Sequence, residues 1–275
     1  MTRRRRRAAI AVLSVGLFAG ALAACTGAPA PTGETPTAFR AGINLLVLGD
    51  RTATVHVPRH TSGAVPLVLV LHELSGSGAV AMTYGFEPLV DSKGFVAVYP
   101  DGIDGSWNAG SCCGDAASRD TDDVAFLTSV VRVVESRTKV DPKRVYVTGF
   151  SNGAMMSYRL GCDTKLFAAI APMSGDVMTG CDHPAPASVL EVHGLADTVV
   201  PYDEAADDPW RTADRCGPPV ATQAGVMHAS EADCADGRSV QVLTIDGMPH
   251  QVATSADGLD AAAEIWSFFA THPGR

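Results

Sequence analysis

The stretch Arg144-Val145-Tyr146-Val147-Thr148-Gly149-Phe150-Ser151-Asn152-Gly153-Ala154-Met155-Met156, "RVYVTGFSNGAMM", runs an apolar segment into a serine with a glycine two residues to either side. A G-x-S-x-G string arises by chance too often in a glycine-rich chain to be more than a prompt. Its setting decides. "DPKRVYVTGF" reads as a turn and a strand and "NGAMMSYRL" as a helix, so Ser151 stands on a strand-to-helix corner. The glycines let strand and helix approach, the tight turn pushes the hydroxyl out over the sheet edge, and the Asn152 N–H at the helix start faces a developing oxyanion. That corner predicts an α/β fold with Ser151 as its nucleophile.

Outward from it the pattern repeats. "INLLVLGDRTATVHVP" reads as two short antiparallel strands about a Gly49-Asp50 turn, and "PLVLVLH" (66–72) as a strand buried on both faces. A helix near 79–93, the strand "FVAVYP" (95–100) and a long irregular segment follow. Val124, Leu127, Val130, Val131 and Val134 recur at helical spacing behind Asp122 and Asp123, whose charge suits a helix N-terminus. "FAAIAPMS", "SVLEVHG" and "SVQVLTIDG" are further strands, the last of them the final one, and "LDAAAEIWSFFATH" is a closing helix. Alternating strands and helices imply a mostly parallel twisted sheet with helices on both faces. Residues 41–275 suit a single domain.

The first 25 residues read as an export leader rather than as fold. "MTRRRRR" is cationic, "AAIAVLSVGLFAGALAA" is apolar but short for a membrane span, and Leu22-Ala23-Ala24-Cys25 closes it with small residues. The L-A-A-C ending resembles the bacterial lipobox, which implies lipidation of Cys25 and a lipid anchor in the membrane; simple secretion is the alternative, and the five arginines leave the export route open. Residues 26–40 are rich in Pro and Thr and read as a tether. Loss of the five arginines at 3–7 takes the formal charge from −9 to −14, which argues against nucleic acid or anionic lipid as a partner attracted by general charge and is adequately explained by solubility.

Beyond Cys25 there are six cysteines, an even number that favours disulfides in an exported chain. A zinc site competes poorly, because no C-x-x-C is present and Cys181-Asp182-His183 is a weak ligand set. Local closure pairs Cys162 with Cys181 and Cys216 with Cys234, leaving Cys112 and Cys113 to join each other or to cross-pair.

A serine hydroxyl needs a base, and in the chain order nucleophile, acid, base two positions fit. Asp197 follows the strand "SVLEVHG", and His250 follows "SVQVLTIDG" just before the closing helix. Asp197 is expected to fix one imidazole nitrogen while the other serves Ser151. His193 remains a rival base, and Asp203, Asp207 and Asp208 remain rival acids. His72 reads as a structural hydrogen bonder and His183, His228 and His272 as surface residues.

"VYPDGIDGSWNAGSCCG" (98–114), "DDVAFL" (122–127), "VDPKRVYVTGFSNGAMMSYRL" (140–160), "FAAIAPMSG" (167–175) and "HGLADTVVPY" (193–202) together resemble the polyhydroxybutyrate depolymerase and feruloyl esterase-like branch of the α/β hydrolases. The resemblance implies the α/β-hydrolase fold and a secreted or lipoprotein serine esterase without metal or organic cofactor. It also implies Ser151, Asp197 and His250 as nucleophile, acid and base, with the Leu74 and Asn152 amides as the oxyanion hole. Two departures stand out. Glu73 in "HELSGSG" replaces the family's glycine and is expected to be a salt-bridged structural acid, the alternative being that it adjusts the active-site charge. "GMPHQVATS" lacks the family's Trp-Pro after the base, so an aromatic wall is missing there or comes from Trp107 or Trp210. The expected activity is hydrolysis of short-chain acyl or hydroxyalkanoate esters by a monomer. Feruloyl or acetyl xylan ester hydrolysis on polysaccharide comes second and peptide hydrolysis third; from another class, a non-catalytic binding lipoprotein is the alternative.

Overall fold

The computed structural model describes residues 37–274, so the leader, Cys25 and most of the expected tether lie outside the described residues. The chain is already part of the domain at Phe39. Its amide donates to the Arg137 carbonyl at 3.1 Å, and the Arg137 guanidinium lies 5.5 Å from its ring. The domain therefore begins inside the stretch 26–40 read as a tether.

In chain order the elements are β1 (Gly42–Leu48), β2 (Arg51–Val57), β3 (Val65–Leu71), α1 (Gly78–Ala81), a 3-10 turn (Met82–Tyr84), α2 (Glu87–Lys93), β4 (Val96–Pro100), α3 (Gly114–Ser118), α4 (Asp123–Arg137) and β5 (Val140–Phe150). There follow α5 (Asn152–Asp163), β6 (Ala169–Met173), β7 (Ser188–Gly194), α6 (Asp208–Ala213), β8 (Val220–Ala224), β9 (Met227–Asp233), β10 (Ser239–Ile245) and α7 (Ala261–Thr271). The ten described strands form one sheet in the order β1-β2-β4-β3-β5-β6-β7-β10-β9-β8. The run from β4 to β10 is parallel, and an antiparallel pair flanks each edge. This is the α/β-hydrolase arrangement, a largely parallel sheet between two helical layers.

Period-two side-chain alternation splits the apolar runs between two cores. Leu67, Leu69 and Leu71 of β3 pack with α4 and α5 on one face, through Leu127, Val130, Val134 and Leu160. Val68 and Val70 point the other way, into a layer holding Val90 of α2 and Ile265, Trp266 and Phe269 of α7. All seven residues of β3 are buried, which is why its sequence runs apolar without alternation; β7 is buried throughout as well, and its Glu191 and His193 pair with each other at 2.8 Å. Asp122 caps α4 by accepting from the Ala125 amide, and Asp260 caps α7 by accepting from Ala263.

Two segments differ from the sequence reading. The helix expected over 79–93 is broken, because Gly85 takes φ +98° and Pro88 opens α2 afresh. A hairpin, β8–β9, precedes β10 and extends the sheet. Its strands "VATQA" and "MHASEAD" leave all of β8 and most of β9 accessible, so they carry no alternating apolar signal. Disulfides join Cys162 to Cys181 and Cys216 to Cys234, the pairs that local closure favours, and of the two outcomes left open for Cys112 and Cys113 the structure has them joined to each other. The Cys216–Cys234 bridge closes the base of the new hairpin.

Candidate active site

The candidate residues all follow the C-terminal ends of parallel strands, where an open α/β sheet places its ligands. Ser151 is the residue between β5 and α5, and its backbone sits at φ 55°, ψ −117°, a conformation that non-glycine residues rarely adopt. Its surroundings impose that geometry. A Cβ on Gly149 would stand 2.5 Å from the Gly153 carbonyl, and one on Gly153 would strike the Leu71 and His72 carbonyl oxygens. The glycines therefore let α5 start directly against β5 and β3, with the serine turned outward.

His250 stands in the loop after β10, with Nδ1 2.6 Å from Asp197 Oδ2 and Nε2 2.9 Å from Ser151 Oγ. With Nδ1 donating to the carboxylate, Nε2 is the acceptor for the serine hydroxyl. The loops that carry the pair are laced together: Leu195 N–H donates to the Ile245 carbonyl at 3.0 Å and Ala196 N–H to Met248 at 3.1 Å. Asp197 Oδ1 accepts from the Val199 and Val200 amides, both at 2.9 Å. Burial works against the Asp197 charge, but the His250 hydrogen bond and those two amides outweigh it and hold the carboxyl below its ordinary pKa. Phe150 backs the His250 ring at 4.7 Å between centroids.

The rival residues are engaged elsewhere. His193 is fully buried, with Nδ1 2.8 Å from Glu191 Oε1 and Nε2 2.8 Å from the Val200 carbonyl, so it has no free nitrogen to serve Ser151. Burial disfavours its charge, yet Glu191 and Val200 raise its pKa. Buried Asp207 accepts from the Tyr158 hydroxyl at 3.1 Å, Asp203 accepts from the Ala205 amide, and Asp208 opens α6. His228 pairs with Asp246 at 3.0 Å, and His272 lies 3.0 Å from Ser239 Oγ.

Leu74 lies just past β3 and Asn152 at the first turn of α5, and neither backbone N–H donates to an acceptor among the described residues. The loop between them is tied down. Ser75 N–H donates to the Gly105 carbonyl at 2.7 Å, and His72 bonds Glu73 O through Nδ1 at 2.7 Å while its Nε2 accepts from Gly102 N–H at 2.9 Å. The Asn152 side chain is a second strap, accepting from the Trp107 N–H at 2.8 Å and donating to the Trp107 carbonyl at 3.0 Å. "WNAGSCCG" thus braces the serine corner. Arg159 extends the brace by donating to the Asn108 carbonyl at 2.6 Å.

Three expectations need correction. Trp107 is fully buried and donates its indole N–H to the His72 carbonyl, so it supports the loop instead of facing a substrate. Trp210 is also fully buried, 5.6 Å from the Tyr158 ring and against Gly161, and it does not line the cleft beside His250. Neither supplies the aromatic wall. Glu73 forms no salt bridge among the described residues; its partner is the Tyr84 hydroxyl, which donates to Oε2 and accepts from the Glu73 amide. Burial, reinforced by Glu73, keeps that hydroxyl a phenol by raising its pKa far above the ordinary value. The aromatic residues that do line the cleft beside His250 are Tyr84 and Phe150. Phe150 was within reach of sequence reasoning as the neighbour of Ser151; Tyr84 belongs to no motif.

Comparison with known proteins agrees with this geometry. The chain is 31% identical over 199 residues to a protein of Aspergillus niger described as "probable feruloyl esterase C", covering 68% of this chain and 69% of that one. Feruloyl esterase C of Emericella nidulans is 28% identical over 280 residues, covering 94% of this chain and 98% of its own length. In fold, an acetyl xylan esterase from Aspergillus awamori superposes with a TM-score of 0.68 at 16% identity, over 84% of this chain and all of that one. Residues 53–260, from β2 to the cap of α7, match the family described as "Esterase PHB depolymerase". With an α/β-hydrolase sheet beneath them and that family match across most of the domain, these residues make the chain a member of the PHB depolymerase and feruloyl esterase-like serine esterases, hydrolases of carboxylic esters.

Proposed function

We propose that Ser151 is the nucleophile of an exported esterase, His250 its general base and acid, and Asp197 the group that orients His250 and stabilises the imidazolium formed when it takes the serine proton. The observation that carries this reading is the unbroken chain Ser151 Oγ, His250 Nε2, His250 Nδ1, Asp197 Oδ2, at 2.9 and 2.6 Å. Ser151 attacks the ester carbonyl as His250 takes its proton. The carbonyl oxygen turns toward the Leu74 and Asn152 amides, each lowering the barrier by about 3 to 4 kcal/mol. His250 then protonates the leaving alcohol, and water repeats the sequence to free the acid.

The substrates we favour are feruloyl or acetyl esters carried by polysaccharide, the feruloyl part supported by the names of the two fungal relatives that span most of the domain. Short-chain and hydroxyalkanoate esters are the second reading, supported by the family description. The leader and "LAAC" support export, with Cys25 lipidated and residues 26–38 as tether.

A fluorophosphonate probe is expected to label Ser151 stoichiometrically in wild type and not in Ser151→Ala, with burst release of p-nitrophenol from p-nitrophenyl butyrate. A folded wild-type sample that takes no label overturns the mechanism. Rates on methyl ferulate, acetylated xylan and hydroxybutyrate oligomers then rank the two substrate readings.

A further inference from the structure

Beside His250 lies a cleft of about 660 Å³ whose walls include Tyr84, Phe150, Thr254, Asp260 and Glu73. When an ester is seated for attack by Ser151, its alcohol oxygen must lie at His250 Nε2, because that nitrogen returns the proton to it. His250 is part of the cleft wall, which places the cleft to take the alcohol portion. Two carboxylates line it, and no lysine or arginine does.

The two acids differ in their freedom. Asp260 is occupied as the cap of α7. Glu73 is held by a two-way clamp: the Tyr84 hydroxyl donates to Oε2 and accepts from the Glu73 N–H at 3.2 Å. Its second oxygen, Oε1, accepts no hydrogen bond from a described residue, and no described cation pairs with it. The clamp fixes a carboxylate in the cleft wall one residue from Leu74, leaving one acceptor unused.

We propose that Glu73 selects the alcohol side of the ester. Oε1 accepts from a hydroxyl of a neutral, polyhydroxylated alcohol, and the charge repels an alcohol that bears a carboxylate. The inference rests on the esterase reading and separates its two substrate classes. A sugar ring presents hydroxyl donors around the ester oxygen. A short hydroxyalkanoate oligomer ends, on its alcohol side, in a free carboxylate.

The test uses three esters with one acyl group: glyceryl monobutyrate, butyl butyrate, and 3-butyryloxybutyrate, which carries the carboxylate. In wild type the glyceryl ester is expected to exceed the anionic ester in kcat/KM by about tenfold or more, the scale of one like-charge contact in a partly screened cleft, and added salt is expected to narrow the gap. Glu73→Gln is expected to collapse the ratio, chiefly by raising kcat/KM on the anionic ester. If Glu73→Gln takes the fluorophosphonate label but keeps the wild-type ratio, the assignment of Glu73 is overturned. If the variant does not fold, the wild-type salt series decides, and a ratio indifferent to salt overturns it. Absence of label in wild type strikes the esterase reading instead, so the two failures are distinct.

Discussion

The side chain of Asn152 and the backbone of Trp107 are paired in both directions, with Trp107 N–H donating at 2.8 Å and Asn152 Nδ2 donating back at 3.0 Å. Both residues are buried, so nothing replaces either bond if the side chain is removed. Asn152→Ala is expected to cost about 2 kcal/mol in urea unfolding, because it strands the Trp107 N–H and carbonyl. The Asn152 amide itself remains, so kcat should fall only as far as the corner loosens. Unchanged stability would show that the strap carries no free energy.

Strain at Ser151 gives a second prediction. Its φ of 55° suits glycine far better than serine. Ser151→Gly is expected to be inactive yet more stable than Ser151→Ala by about 1 kcal/mol, since only glycine relieves the strain. Thermal melts of the two inactive variants isolate the backbone effect. Equal melting temperatures would mean that the corner is unstrained.

Three groups around the candidate site contribute to the pH dependence of stability. Burial lowers the His72 pKa even though the Glu73 carbonyl pulls the other way. Its contribution is therefore complete above the unfolded value, about 6.5, and drains away as pH falls below it. Asp197, held below its ordinary value, keeps its contribution down to about pH 3.9 and loses it in stronger acid. His193 runs oppositely: its raised pKa gives stability that is complete below about pH 6.5 and lost as pH rises through the folded value. Urea midpoints for His72→Gln should be flatter than wild type just below pH 6.5, and those for His193→Gln flatter above it. Parallel curves would remove these histidines from the account.

Trp210 offers a test of its corrected role. Trp210→Phe leaves space beside Gly161 and Tyr158 and is expected to lose about 1 to 3 kcal/mol of stability. KM for any ester should not change. A shifted KM at unchanged stability would return Trp210 to the substrate.

The parallel centre of the sheet is legible in the sequence because strands buried on both faces, such as "PLVLVLH", can only read as continuous apolar runs. The candidates Ser151, Asp197 and His250 could be placed for a related reason, since each lies within a few residues of the end of a sheet strand, β5, β7 or β10. The hairpin of β8 and β9 is not, because an edge exposed to water imposes no apolar pattern on it. Trp107 misleads because an indole beside a catalytic loop looks the same in sequence whether it meets a ligand or holds the loop. Only its bond to the His72 carbonyl tells the two apart. The Glu73–Tyr84 clamp joins residues from separate segments around one cleft, and no local motif encodes it.

His250 lies 99 residues after the serine it faces and 53 after the aspartate. A growing or truncated chain therefore contains Ser151 and Asp197 well before it contains the histidine that joins them. On the proposed mechanism hydrolysis requires β10, the last strand of the sheet in chain order, so activity would double as a report that the domain has been built to completion.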